Sequence, residues 1–253
     1  MNYVKEKVSI VMPTYNVSEF LEETVNSVIN QSYSNWELIV VDDCSNDDTP
    51  ELIKKLAEVD SRIRYYLSSK NQGAGITRNK ALSLATGQYI AFLDSDDLWY
   101  ADKLSQQLSF MAEHNAPICH TSYEYIDEKG ACFSGRVQAS HSVDLLSNLK
   151  NTEIGTSTAI IDRAIVVEPI AFKPLRARQD LRLWIDLLGN GHKSFGLNRV
   201  LVKYRVRGGS VSSNKLKMLV VTFRVYLGIS QLSISSRLTS YISYVINAIK
   251  KRT

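Results

Sequence analysis

Gln88-Tyr-Ile-Ala-Phe-Leu-Asp-Ser-Asp-Asp-Leu98 is the stretch on which the reading of this chain turns. The apolar run Tyr89-Ile-Ala-Phe-Leu93 follows a Thr86-Gly87 turn signal and reads as a short buried strand. It delivers three carboxylates, Asp94, Asp96 and Asp97, to the strand end. In an extended chain side chains alternate, so Asp94 and Asp96 share a face and Asp97 points elsewhere. Crowded carboxylates repel unless something positive sits between them. A hard divalent ion with oxygen ligands, Mn²⁺ or Mg²⁺, meets that need, and such ions also hold substrate phosphates. An isolated Asp-x-Asp also reads as a solvated acidic turn that caps the next helix, so its surroundings decide.

Upstream, residues 7–12 read as a strand, 13–16 as a loop and 19–31 as a helix, with Leu21, Val25, Val28 and Ile29 at helical spacing. Residues 36–41 form a nearly continuous apolar run, expected of a strand covered on both faces, and end at Asp42-Asp43. Thr49 suits an N-cap and Pro50 a first helical position for a helix over 51–59. A strand over 62–67 and a Gly-led helix over 73–85 precede the opening stretch. Alternating strands and helices imply a parallel α/β sheet, whose ligands bind beyond the carboxyl ends of the strands. Residues 13–16, 42–43, 69–75 and 94–97 all fall at that end.

Downstream the pattern is less regular. A helix is predicted over 102–114, and strands over 118–126 and 132–137 about a Glu128-Lys129-Gly130 turn. Residues 155–161 are a further strand candidate. Leu181, Trp184, Ile185 and Leu188 mark a helix over 180–188 that opens with an acid. A strand over 200–206 leads into an Arg207-Gly-Gly-Ser210 turn. Helices over 216–226 and 233–249 close the chain. In the second, Ile234, Leu238, Tyr241, Ile242, Val245, Ile246 and Ile249 form a stripe, followed by Lys250-Lys-Arg252. This is either a membrane-surface helix with a basic anchor or a helix packed on the protein's own core.

At 253 residues the chain is one large domain, or one domain with an appendage. Its 44% hydrophobic and 22% charged content are ordinary for a globular protein. A net charge of +4 suits an anionic partner, such as a sugar nucleotide or acidic lipid, without calling for nucleic acid. Three scattered cysteines, Cys44, Cys119 and Cys132, argue for reduced thiols and a cytoplasmic setting. The four histidines show no metal-ligand spacing. No signal-peptide pattern opens the chain, and no apolar run approaches the roughly 20 residues that span a bilayer.

Four segments in order, Val11-Met-Pro-Thr-Tyr-Asn16, Val40-Val-Asp-Asp-Cys-Ser45, Lys70-Asn-Gln-Gly-Ala-Gly-Ile-Thr-Arg-Asn79 and Phe92-Leu-Asp-Ser-Asp-Asp97, resemble the successive signatures of family 2 glycosyltransferases. The resemblance is strong over residues 7–105, weaker to about 210 and absent from the tail. It implies the GT-A fold, a Rossmann-like nucleotide-binding mixed sheet flanked by helices, here with a C-terminal helical extension. The implied division is a catalytic domain over 1–212, with a nucleotide-sugar-binding half (1–105) and an acceptor-binding half (106–212), then an amphipathic tail over 213–253. The implied activity is inverting transfer of a hexosyl-type sugar from a nucleotide donor, expected to be UDP-linked, to a saccharide hydroxyl. The compact layout and basic tail suggest surface polysaccharide assembly, such as O-antigen or capsule. The acceptor would then be carried on undecaprenyl diphosphate at the inner face of the cytoplasmic membrane, with peripheral contact through the C-terminal helices.

By resemblance, Pro13 and Tyr15 line the nucleotide pocket, where Tyr15 stacks on the base. Asp43 accepts from a base N–H, while Asp42 is structural. Arg78 lies near the nucleotide and its phosphates. Asp96 coordinates the metal, Asp94 contacts ribose or assists the metal, and Asp97 is a weaker third contributor. Asp180 is assigned as base, with Gln179 where an acid usually precedes it. Trp184 packs beneath the acceptor or in the core. Arg207 stands where a His often follows Tyr-Arg-x. A guanidinium clamps a diphosphate but cannot ligate a metal, so metal binding rests on Asp96, Asp94, substrate phosphates and water. Two other classes compete. A dinucleotide-dependent oxidoreductase uses Gly73-Ala-Gly75 and an acid about 20 residues on, but its third glycine position is Arg78. A non-catalytic sugar-nucleotide binding module keeps Asp43 and needs no base.

Overall fold

A computed structural model describes residues 3–208 and 215–250. Gly209 and Ser210 of the expected turn, the expected boundary near residue 212, and Lys251 and Arg252 of the basic cluster lie outside these residues.

Strands β1 (Val4–Thr14), β2 (Trp36–Asp42), β3 (Ile63–Leu67) and β4 (Gly87–Phe92) alternate with helices α1 (Ser18–Ile29), α2 (Thr49–Val59) and α3 (Ala74–Leu84). They pair in parallel in the order β3-β2-β1-β4, the arrangement expected from the alternation. Strand β1 continues through Pro13 and Thr14, in register with Val41 and Asp42, so the expected loop starts only at Tyr15. Asp48 rather than Thr49 is the N-cap of α2. The buried Thr49 hydroxyl instead accepts the Val17 N–H (2.9 Å) and ties α2 to the start of α1.

The remaining strands are β5 (Leu98–Trp99), β6 (Ile118–Ile126), β7 (Cys132–Val137), β8 (Ser142–Val143), β9 (Ile160–Asp162) and β10 (Ser194–Arg205). Helices α4 (Lys103–His114), α5 (Leu145–Asn151), α6 (Gln179–Gly189), α7 (Lys215–Leu227) and α8 (Ile234–Lys250) complete the elements used below. All ten strands form one mixed sheet, ordered β3-β2-β1-β4-β9-β6-β10-β5, with β7 on β6 and β8 on β10. Strand β9 is antiparallel to both β4 and β6, and β6 is parallel to β10. The carboxyl ends of β1, β2, β4, β6 and β10 therefore share one edge. The strand expected over 155–161 is a 3-10 turn (Thr156–Thr158) followed by β9. The Thr158 hydroxyl bonds the Gly155 carbonyl (2.6 Å), the local side-chain-to-backbone competition that keeps Ser/Thr runs out of a ladder.

Period-two alternation divides the core between the two faces of the sheet. Val11, Ile39, Val41, Ile90 and Phe92 face α6, α7 and α8. Ile10, Met12, Leu38, Val40 and Leu93 face α1, α2 and α4. The tail shares the first of these cores: Tyr226 and Ile229 are fully buried, and Tyr241 and Val245 pack on the cluster. Ile234, Leu238, Ile242 and Ile246 of the expected α8 stripe are exposed, and the Ile249 side chain lies outside those described. The sequence stripe thus contains two faces, one on the core and one in solvent.

Strand β2 buries two charged side chains, Glu37 within the sheet and Asp42 at its end. Burial alone raises the Glu37 pKa, but the Ser9 hydroxyl (2.6 Å), the Thr86 N–H and hydroxyl (2.8 Å each) and Lys7 (3.1 Å) outweigh it. The result is a carboxyl held down from 4.5 to about 2. A depressed folded pKa contributes stability above the unfolded value that is lost as pH falls through the folded one. We expect Glu37→Gln to cost about 2 kcal/mol near neutrality. In denaturant titrations this difference should persist down to pH 4.5 and vanish on approach to about pH 2.

Candidate active site

A cleft of about 860 Å³ opens at the carboxyl ends of β1, β2 and β4. Its lining includes all eight residues expected of the site: Pro13, Tyr15, Asp43, Arg78, Asp94, Asp96, Asp180 and Arg207. They come from β1 and the loop after it, the loops after β2, β4 and β10, the second turn of α3 and the first turn of α6. The cleft is thus the switch point of the sheet, where β1 sends its neighbours to either side.

The acidic stretch does not continue the strand. Beyond β4 the chain turns, with the Asp97 N–H donating to the Asp94 carbonyl (3.1 Å). Asp94 and Asp96 line the cleft, while Asp97 is buried and does not. Asp97 instead accepts from the Ser157 hydroxyl and from the Arg205 N–H (2.9 Å), fastening β10 and the 3-10 turn beneath the floor. This corrects its expected part in the metal set. Burial, then the Asp96 and Asp94 charges, push its carboxyl well above the usual range.

Asp94 and Asp96 are each paired through one oxygen, Asp94 Oδ1 with Arg78 and Asp96 Oδ2 with Arg207 Nε (2.7 Å). Burial first and the Asp94 charge second raise the Asp96 carboxyl, against the pull of Arg207 and Arg205. Two oxygen-donor groups on one wall, the charge of Asp96 destabilised by burial and by Asp94, fit a hard cation such as Mn²⁺ or Mg²⁺. Among the described residues no group of three His, Cys, Asp or Glu side chains could hold a metal by itself. The remaining ligands would then be substrate oxygens and water. Arg78 is 5% exposed. Its Nε and one terminal nitrogen are buried and lack a partner among the described residues.

Asp43 reaches the cleft but is already engaged, accepting the Gln72 N–H (2.8 Å) and the Gly73 N–H (2.7 Å). Gly73 sits at φ +88°, a conformation few side-chain-bearing residues adopt, and this lets the loop turn its N–H groups toward Asp43. A carboxylate has about four lone-pair sites, so Asp43 keeps capacity for a ligand. Asp42 is spent on Thr14 and Ser45, the structural part expected of it.

Asp180 occupies the first turn of α6. No hydrogen bond or ion pair restrains its carboxylate among the described residues. It lines the main cleft and also a second cavity of about 230 Å³, together with Asp94, Arg178 and Tyr204. Burial first, then the charges of Asp97, Asp94, Asp96 and Asp180, raise the Tyr204 hydroxyl pKa, which marks the convergence of these acids. Trp184 is 2% exposed and packs edge-on to Phe92 (6.1 Å), the core position that was one of its two expected readings, and it also borders the second cavity.

Several lining residues were not anticipated. Arg176 and Arg178 add positive charge, and Met218 comes from α7. Arg178 binds the Thr222 hydroxyl (3.0 Å) and the Tyr244 hydroxyl (2.6 Å), linking the cleft to both tail helices. The Arg-x-Arg spacing before an acid-led helix was a legible hint; the tail contacts had none.

Comparison with known proteins agrees with this geometry. Residues 9–164 match the family model described as glycosyl transferase family 2, and the chain belongs to that family. It is therefore a glycosyltransferase. It is 40% identical, over 98% of both chains, to a Bacillus subtilis (strain 168) protein named for teichuronic acid biosynthesis, TuaG. It is 37% identical to the Escherichia coli UDP-Glc:alpha-D-GlcNAc-diphosphoundecaprenol beta-1,3-glucosyltransferase WfgD, over 96% of this chain and 94% of that one. Among solved structures, S. aureus TarS 1–349 in complex with UDP-GlcNAc superposes with a TM-score of 0.75 at 21% identity, covering 96% of this chain and 73% of that chain. The mannosyltransferase PcManGT from Pyrobaculum calidifontis, in complex with GDP-Man and Mn²⁺, gives 0.69 at 16% identity, covering 96% and 75%. At these identities the structural likeness establishes the fold.

Proposed function

We propose that this chain transfers a sugar, with inversion, from a UDP-linked donor to a hydroxyl of a saccharide carried on undecaprenyl diphosphate, in assembly of a bacterial surface polysaccharide. The observation that carries the reading is the position of Asp180 between the acidic cleft and the second cavity. The donor class is supported by the names of WfgD and of the TarS complex, and the acceptor class by that of WfgD.

In this reading the nucleotide lies along Pro13, Tyr15 and Asp43, with its diphosphate facing Arg78, Arg207 and the Asp94–Asp96 pair. The Asp180 carboxylate takes the proton of the attacking hydroxyl while that oxygen bonds to the anomeric carbon. The opposite bond breaks, and its electron pair leaves with the nucleoside diphosphate. Asp96 and Asp94 would hold a divalent ion such as Mn²⁺ or Mg²⁺, which would supply Lewis-acid neutralisation of that leaving charge. The test is titration with UDP in the presence and absence of Mn²⁺, paired with transfer from UDP-sugars to a GlcNAc-diphosphate lipid. Metal-enhanced UDP binding with transfer is expected; absence of both would refute the reading.

The acceptor lipid draws the enzyme to the inner membrane face. No helix among the described residues is long and apolar enough to cross a membrane. The α8 row Ile234, Leu238, Ile242 and Ile246, exposed by 67, 40, 57 and 47%, supports peripheral contact, as does the closing Lys250-Lys-Arg252. Replacing Ile242 and Ile246 together with Glu should lower co-flotation with anionic vesicles about tenfold. Unchanged flotation would argue for a soluble enzyme that meets its lipid only through the cleft.

A further inference from the structure

Arg178, the residue before α6, stands two positions from Asp180 and borders both cavities. Its guanidinium is held from the tail. Nε donates to the Thr222 hydroxyl of α7 (3.0 Å) and a terminal nitrogen to the Tyr244 hydroxyl of α8 (2.6 Å), with the cation 5.7 Å from the Tyr244 ring centroid. These two oxygens are its only hydrogen-bond acceptors among the described residues. Both anchors are themselves fixed. Thr222 is fully buried, and its hydroxyl donates to the Met218 carbonyl (2.7 Å), so its lone pairs serve the guanidinium. Tyr244 is 8% exposed and packs between Tyr226 and Tyr241.

The backbone at Arg178 needs that restraint. It sits at φ +63°, ψ +20°, the left-handed region that is unfavourable for a residue with a Cβ. Its carbonyl accepts the Arg182 N–H (3.0 Å), the hydrogen bond that opens α6. Its dihedrals therefore set the direction in which the first turn leaves the loop. Asp180 makes no hydrogen bond or ion pair of its own among the described residues, so its placement depends on that backbone. Two further contacts join the tail to the same region. Arg182, one turn into α6, donates to the Gly228 carbonyl just beyond α7 (3.2 Å). The Asn247 amide of α8 donates to the Lys150 carbonyl (3.1 Å), just before the 152–156 stretch that borders the second cavity.

We infer that Arg178 is a positioning residue: the tail helices, through Thr222 and Tyr244, hold it in the conformation that aims Asp180 at the attacking hydroxyl. The inference rests on the reading above, with Asp180 as base, and makes the tail part of the catalytic unit rather than a membrane contact alone. The two roles fall on different rows of α8. Tyr241, Tyr244 and Val245 face the protein, while Ile234, Leu238, Ile242 and Ile246 face solvent.

The test deletes both hydroxyls in the full chain with Thr222→Val and Tyr244→Phe, which keep the packing volume. The pair should lower kcat about tenfold, with UDP affinity unchanged and the acceptor KM altered less than about twofold, because a misplaced base loses rate rather than substrate. Arg178→Lys, which keeps the charge but replaces the rigid fork with a flexible ammonium, should lose about as much. The deciding measurement repeats the pair in Asp180→Asn. Loss of folded enzyme lowers turnover by the same factor in both backgrounds, whereas an effect that runs through the Asp180 carboxylate disappears once that carboxylate is gone. The pair should therefore change the residual turnover of Asp180→Asn by less than about twofold. An equal fall in both backgrounds would overturn the inference and leave the transferase reading standing. So would wild-type turnover of the pair, or of Arg178→Lys, since charge alone would then suffice. Wild-type turnover of Asp180→Asn by itself would overturn the base assignment and the inference together. Should the pair fail to fold, Tyr244→Phe alone removes one oxygen and is read in the same way, with about a threefold loss expected beside Asp180 and none in its absence.

Discussion

Replacing Asp180 with asparagine is expected to lower kcat for sugar transfer about 10³-fold while leaving UDP affinity unchanged. Asparagine keeps the size and planar shape of the side chain but cannot take up the proton that the attacking hydroxyl must lose. The competing account of Asp180 is that it only offsets the partial positive charge at the start of α6, where acids are favoured. That account predicts a loss of about 0.5 kcal/mol in stability and full turnover. Thermal melts alongside single-turnover kinetics separate the two. A folded Asp180→Asn enzyme with wild-type turnover would refute the base assignment. The unrestrained carboxylate at the junction of the two cavities favours the chemical account.

Asp96→Ala should be nearly as severe, by a different route. The side chain is crowded by Asp94 and desolvated, so its charged form is held at a cost that a bound cation would relieve. Removing it leaves Asp94 as the only cleft-floor carboxylate of the pair and frees Arg207 from its ion pair. Loss of several kcal/mol of charge neutralisation corresponds to about a 10³-fold fall in metal-dependent turnover. The UDP titration should also lose its response to Mn²⁺. Freed Arg207 can turn to the diphosphate, so residual metal-independent binding is expected. An unaltered Mn²⁺ response would show that Asp96 is not a ligand. Asp97→Asn makes a useful contrast: its bonds to Ser157 and Arg205 predict lost stability rather than a changed metal response.

Asp97 also shows where reading from sequence fails. Alternation along an extended chain separated it correctly from Asp94 and Asp96, but for the wrong reason. The chain turns at Asp94, and the separation arises because Ser157 and Arg205, distant in sequence, supply partners for a buried carboxylate. The same limit hid α5. Its Asp144–Ser147 capping box is visible only once the helix is known, and its seven residues carry little periodicity. The short β5 and β8 owe their pairing to β10, not to local propensity.

The parallel β1–β4 core and the strand-end edge were legible in the chain itself, and the eight cleft residues through the order of its family-like motifs. They depend on short-range alternation, helix start signals and motif order, all of which are local. Only the folded molecule determined that the α8 stripe divides between core and solvent, that Arg178 joins the cleft to the tail, and that a second cavity adjoins Asp180. These features are made by surfaces meeting across long sequence separations, where burial and pairing are settled by packing rather than by neighbours along the backbone.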